Sequence, residues 1–140
     1  MAENTKPVPP KPIPSPTDAT QAFWSGCAEN VLRLRSCPRC NKRLAPTRAV
    51  CACGNSELPW VDTSGQGRIF SYTVVHRAPD PAFRPEVPYV IAIVELDEGA
   101  KLMSNIIGCS PADVRVGMKV RAVFDQVAPG IGVPKFQPAS

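Results

Sequence analysis

Six cysteines stand in this 140-residue chain, and four of them form two close pairs, Cys37-Pro38-Arg39-Cys40 and Cys51-Ala52-Cys53-Gly54. Two thiolates separated by two residues can reach one ion, while the backbone amides between them turn toward sulfur and offset its charge. A second pair, separated from the first by ten residues, completes a tetrahedral set. Zinc is the usual occupant of such a set, at Zn–S distances of about 2.3 Å. Four thiolates leave no open coordination position, so the ion folds a ribbon and does not activate water. The spacing predicts one structural Zn2+ on Cys37, Cys40, Cys51 and Cys53. A rubredoxin-like iron, and with it an electron carrier, is the alternative that the same soft ligands admit. The second pair is C-x-C, so its loop must be the tighter one. Cys27 and Cys109 lie in apolar contexts and read as buried small hydrophobes.

Other reactive patterns are sparse. The single histidine, His76, has no spacing that pairs it with a thiol, and the chain holds no G-x-S-x-G, phosphate loop or dinucleotide fingerprint. The expectation is a protein without an active site of its own. Between residues 30 and 56 stand Arg33, Arg35, Arg39, Lys42, Arg43 and Arg48 and no acid, within a net charge of +4. Two readings fit: compensation of a negative metal–thiolate cluster, or recognition of an anion such as nucleic acid or the phosphates of a nucleotide-bearing ligand. Phe70, Tyr72, Phe83, Tyr89 and Phe124 are scattered among Glu86, Glu95, Asp97 and Glu98, which makes a poor stacking platform. A single-stranded nucleic-acid binder is therefore the alternative and not the leading reading.

The elements that must position these residues fall into three stretches: a proline-rich flexible arm over 1–16, an N-terminal helix with the cysteine ribbon over 17–62, and a β-rich unit over 63–140. The arm packs six prolines into residues 6–16, which fixes φ and removes donors, so it is extended and neither helix nor central strand. Thr17 or Asp18 could cap a short helix over 18–25 that stops near Gly26, and the alternation of 31–35 reads as a strand leading into Cys37. Strands are expected over 67–77, 89–96, 101–107, 119–126 and 132–136, with a proline loop over 78–88 and a hairpin turn at Asp97-Glu98-Gly99. Ser110-Pro111 should cap a one-turn helix over 112–116, ended by Gly117. Five short strands with a helical insertion after the third is the element order of an OB-fold, so the chain is read as mainly β.

With 44% hydrophobic and 20% charged residues the composition is globular, and the longest apolar run, 89–94, is far too short to span a bilayer. Met1-Ala2-Glu3-Asn4 does not begin a secretory signal, so a cytoplasmic location is expected, where clustered cysteines hold metal more often than they form disulfides.

Several dispersed motifs together resemble a known family. They are Phe23-Trp24, Leu34-Arg35-Ser36-Cys37-Pro38-Arg39-Cys40, Cys53-Gly54 followed by Trp60-Val61, and the run from Ser64 to Val74. Pro88-Tyr89-Val90, the segment from Val94 to Gly99, Val116-Gly117-Met118 and the closing segment from Pro134 to Pro138 complete the set. In this order they resemble the DUF35-type accessory proteins, in which a helix and a rubredoxin-like zinc ribbon precede an OB-fold. The resemblance implies a non-catalytic partner of a thiolase-like enzyme (a thiolase, aldolase or acyltransferase), with the barrel helping to shape a channel for the CoA-linked acyl chain. The family commonly carries C-x-x-C as its second pair, which would put Val50 in the ligand place that Cys51 takes here. The surface expected to face acyl-CoA or the partner is the mouth formed by His76, Arg77, Phe83, Arg84 and Tyr89, a basic pair beside aromatic residues on a proline-stiffened loop.

Overall fold

The structure is a computed structural model that describes residues 7–139. Of the expected arm, residues 1–6 lie outside the described residues, and 7–16 run without regular secondary structure, as the prolines require. Helix α1 spans Gln21–Ala28. It starts later than the sequence suggested because Thr17 and Thr20 satisfy each other: their hydroxyls lie 3.0 Å apart, and the Thr17 N–H donates to Thr20 Oγ1 at 2.9 Å. Nor does Gly26 end it. Its missing side chain instead makes room for the returning chain, since a Cβ there would stand 2.8 Å from the Val31 carbonyl oxygen. The helix closes where Asn30 takes the left-handed conformation at φ 63°.

Three short strands follow, β1 (Arg33–Cys37), β2 (Lys42–Leu44) and β3 (Trp60–Asp62), paired antiparallel in the order β2-β1-β3. The sequence placed β1 two residues early and gave no sign of β2 or β3, which are too short to show a period of two.

The rest is a closed barrel of β4 (Gln66–Val75), β5 (Tyr89–Leu96), β6 (Lys101–Ile106), β7 (Lys119–Ala128) and β8 (Ile131–Pro138), in the order β4-β5-β6-β8-β7. Strands β4 and β7 close it through Gly67↔Val120, and β6 meets β8 in parallel at Ile106↔Phe136. This is the mainly β, OB-type architecture expected from the element order. β5 shows the patterning best: Val90, Ala92, Val94 and Leu96 point inward and are buried, and the residues between them are more exposed. β8 carries Pro134 and Pro138 without breaking, because its contact with β6 is a single bridge and few of its N–H groups are required there. Only Pro111–Asp113 forms the turn expected after Ser110, a 3-10 turn in which Ser110 Oγ accepts from the Ala112 N–H at 3.3 Å.

The core runs through the barrel from Ile69, Val94 and Val120 to Phe136, and it also takes in Leu32 and Leu34 from the ribbon side, with Phe23 of α1 packed against it. Among the described residues no helix is long and apolar enough to cross a membrane.

Candidate functional site

Four sulfurs meet at the tip of the β1–β2 ribbon. Cys37 ends β1, Cys40 lies in the turn to β2, and Cys51 and Cys53 come from the following loop. All four Sγ atoms lie within 4.8 Å of one another. Cys37 and Cys53 approach to 3.6 Å, and Cys51 and Cys40 to 3.9 Å. Tetrahedral thiolates at about 2.3 Å from an ion stand about 3.8 Å apart, so the donor set fits a single metal ion of the zinc type. The short C-x-C loop turns tightly: the Gly54 N–H donates to the Cys51 carbonyl at 2.9 Å, and Gly54 adopts φ +92°, a conformation natural to glycine. Cys51 is buried and Cys53 exposed, while Val50 points to solvent with half its surface exposed.

Asn55, which the sequence did not single out, supports this loop. Its Nδ2 donates to Cys37 Sγ at 3.6 Å and to the Glu57 carbonyl at 3.2 Å, its Oδ1 accepts from the Glu57 N–H, and its carbonyl accepts from the Cys51 N–H. The signal available in sequence was an Asn two residues past the last cysteine, a position suited to an Asx turn. The Cys40 backbone N–H is the chief cause that lowers the Cys37 thiol to about 6, against the opposing effect of burial. Cys40 is pushed up to about 12, first by the hydrogen bond it makes with Cys53. The two neighbouring sulfurs, Cys37 and Cys40, are thus pushed in opposite directions, and a cation among them would favour the thiolate form of both.

The basic segment is divided. Arg33 Nε donates to Asp62 at 3.0 Å and its Nη1 to the Ala22 carbonyl. Arg35 bonds the Leu58 and Ala19 carbonyls and lies 4.0 Å over the Trp60 ring. Arg43 donates to Ser36 Oγ at 3.0 Å. These three tie α1, the ribbon and β3 together, a structural use that neither sequence reading anticipated; Arg39, Lys42 and Arg48 remain exposed.

The second expected surface lies where β4 hands over to β5. His76, Arg77 and Arg84 line an open cavity of about 470 Å³ with Ala78, Pro79 and Val87. Phe83 and Tyr89 stand outside that lining, packed on each other with ring centroids 6.5 Å apart. The connecting segment is more ordered than a loop: Pro81–Glu86 is a 3-10 helix whose N-cap Asp80 accepts from the Ala82 N–H at 2.9 Å. Of the two remaining cysteines, Cys27 is buried and its thiol pushed up to about 11 by that burial, while Cys109 is half-buried against the barrel core and raised by desolvation and then by Asp113.

A cysteine-clustered ribbon joined to a five-stranded OB barrel defines the class, and comparison with known proteins places the chain within it. The family described as "ChsH2, C-terminal OB-fold domain" matches residues 60–125. A "DUF35 domain-containing scaffold protein" of Methanothermobacter thermautotrophicus is 40% identical over 93 residues, 65% of this chain and 69% of that protein. The "Probable enoyl-CoA hydratase alpha subunit" of Thermomonospora curvata is 37% identical over 120 residues, 84% of this chain but 37% of its own length. A solved chain of "Ltp2-ChsH2(DUF35) aldolase" superposes with a TM-score of 0.78 at 32% identity, covering 91% of this chain and 99% of that one. The chain belongs to the DUF35 family of OB-fold accessory proteins. It spans little more than a third of the hydratase subunit it resembles.

Proposed function

We propose that this protein is a non-catalytic accessory subunit that docks on a thiolase-like enzyme and helps to bind or channel acyl-CoA at the shared surface. The observation that carries this is its likeness, across 91% of its length, to the DUF35 chain of a two-component aldolase. Relatives named as subunits of CoA-ester hydratases support a CoA-ester as the ligand of the complex. In this reading Cys37, Cys40, Cys51 and Cys53 hold one structural Zn2+. The ion supplies a cross-link between two loops and neutralises their thiolates. His76, Arg77 and Arg84 receive the phosphates of the coenzyme, and Phe83 and Tyr89 offer ring surface to the pantetheine arm or to the partner. Arginine suits the phosphate role because its planar fork stays charged and binds in bidentate fashion.

The test is co-expression with thiolase-like genes encoded beside this one, followed by affinity purification of the tagged chain. Copurification in fixed stoichiometry is expected, with acyl-CoA turnover by the complex falling on Arg77→Glu or Arg84→Glu. Failure to copurify with every neighbour would overturn the proposal. Full turnover in both arginine variants would overturn the placement of the coenzyme.

A further inference from the structure

The connection that bears the cavity carries three basic residues, His76, Arg77 and Arg84, and two acids, Asp80 and Glu86. Both acids are engaged by partners other than the arginines. Asp80 caps the 3-10 helix. Glu86, two residues beyond Arg84, is held at 2.6 Å by Lys11 Nζ, which also lies 5.7 Å over the Phe83 ring. Among the described residues no carboxylate pairs with Arg77 or Arg84. Lys11 comes from the proline arm, far away in sequence, and prolines at 7, 9, 10, 12, 14 and 16 keep that arm extended, so seating it costs little conformational entropy.

We propose that the described part of the arm, residues 7–16, is a strap for this cavity. By holding Glu86, Lys11 keeps the carboxylate from neutralising Arg84 and leaves the cavity's positive charge free for a phosphate-bearing ligand. This rests on the coenzyme placement above and adds a positioning residue, Lys11, on a segment outside the barrel strands. The arm and the cavity are therefore linked: whatever lifts the arm, a partner surface included, weakens anion binding.

The experiment is a double-mutant cycle on the full-length chain, with binding of coenzyme A and of adenosine 3′,5′-bisphosphate measured by calorimetry at low salt. Lys11→Ala is expected to weaken both ligands about two- to fivefold, the scale of an exposed ion pair. In a Glu86→Gln background the same change should have no effect, because no carboxylate is left to hold. Equal losses in both backgrounds mean that Lys11 acts as an independent charge, and no loss in either means that it does not act; each overturns the strap alone. If the unaltered chain binds neither ligand, the coenzyme placement falls and the strap falls with it.

Discussion

Cys51 occupies the place that a C-x-x-C pair would give to residue 50, and one Asn makes the shorter loop workable. Asn55 anchors both ends of the turn and donates to Cys37 Sγ. Such outer contacts orient ligands and commonly change metal affinity by about 10–100-fold. Asn55→Ala is expected to weaken zinc binding on that scale, measured by competition with a chromophoric chelator, with the barrel intact. Cys51→Ser should lose more and purify with less than stoichiometric zinc, and restoring a thiol by Val50→Cys should not rescue it, since Val50 faces solvent. The gathering of the four cysteines was legible in sequence because their spacing is a local property. Asn55 and Lys11 were not, because their partners are met only through the fold. Cys27 makes a separate case. Burial raises its thiol from the ordinary 9.0 to about 11, so the unfolded chain ionises first as pH rises. Its contribution to stability is full below pH 9 and is lost as pH climbs through 11. Denaturation curves at stepped alkaline pH should show that decline, and Cys27→Ala should flatten it.

At the scale of elements, the barrel strands and β1 were readable, and β2 and β3 were not. β5 alternates strictly between buried and less buried positions over eight residues, whereas β2 and β3 have three residues each and owe their existence to pairing with β1. The helix was placed correctly in kind but not in register, since its start depends on the Thr17–Thr20 contact and its passage through Gly26 on the approach of Val31. A similar close approach fixes α1 on the barrel. A Cβ on Gly132 would stand 2.6 Å from the Cys27 carbonyl oxygen, with backbone on one side and Gln126 on the other. The Gln126 side chain can swing aside but the Cys27 backbone cannot yield cheaply, so Gly132→Ala should destabilise the chain by roughly 1–3 kcal/mol, seen as a lower denaturant midpoint at unchanged slope.

For the whole molecule, the question is whether ribbon and barrel unfold as separate units. The sequence suggested consecutive stretches, and nothing in its pattern showed that Leu32 and Leu34, at the entrance to the cysteine ribbon, are buried in the same apolar core as Ile69, Val94 and Phe136. Arg33 and Arg35 reinforce that union by bonding α1 and the segment before β3. A strand that belongs to both halves cannot melt from one without uncovering the other, so loss of order in the ribbon must propagate into the barrel. A metal ion held by the four sulfurs would then act on the stability of the entire chain, because only the folded state presents them together. Treating the zinc-loaded protein with a strong chelator is expected to lower the melting temperature of one shared transition, by about 3–4 °C for each kcal/mol of binding energy removed. Far-ultraviolet circular dichroism would follow the barrel, and in a Trp24→Phe variant the fluorescence of Trp60, stacked under Arg35 at the ribbon edge, would follow the ribbon. Coincident shifts in both signals are the expected result. A chelated protein whose barrel signal melts at its original temperature while the tryptophan signal is lost early would show that the shared core does not couple the two halves.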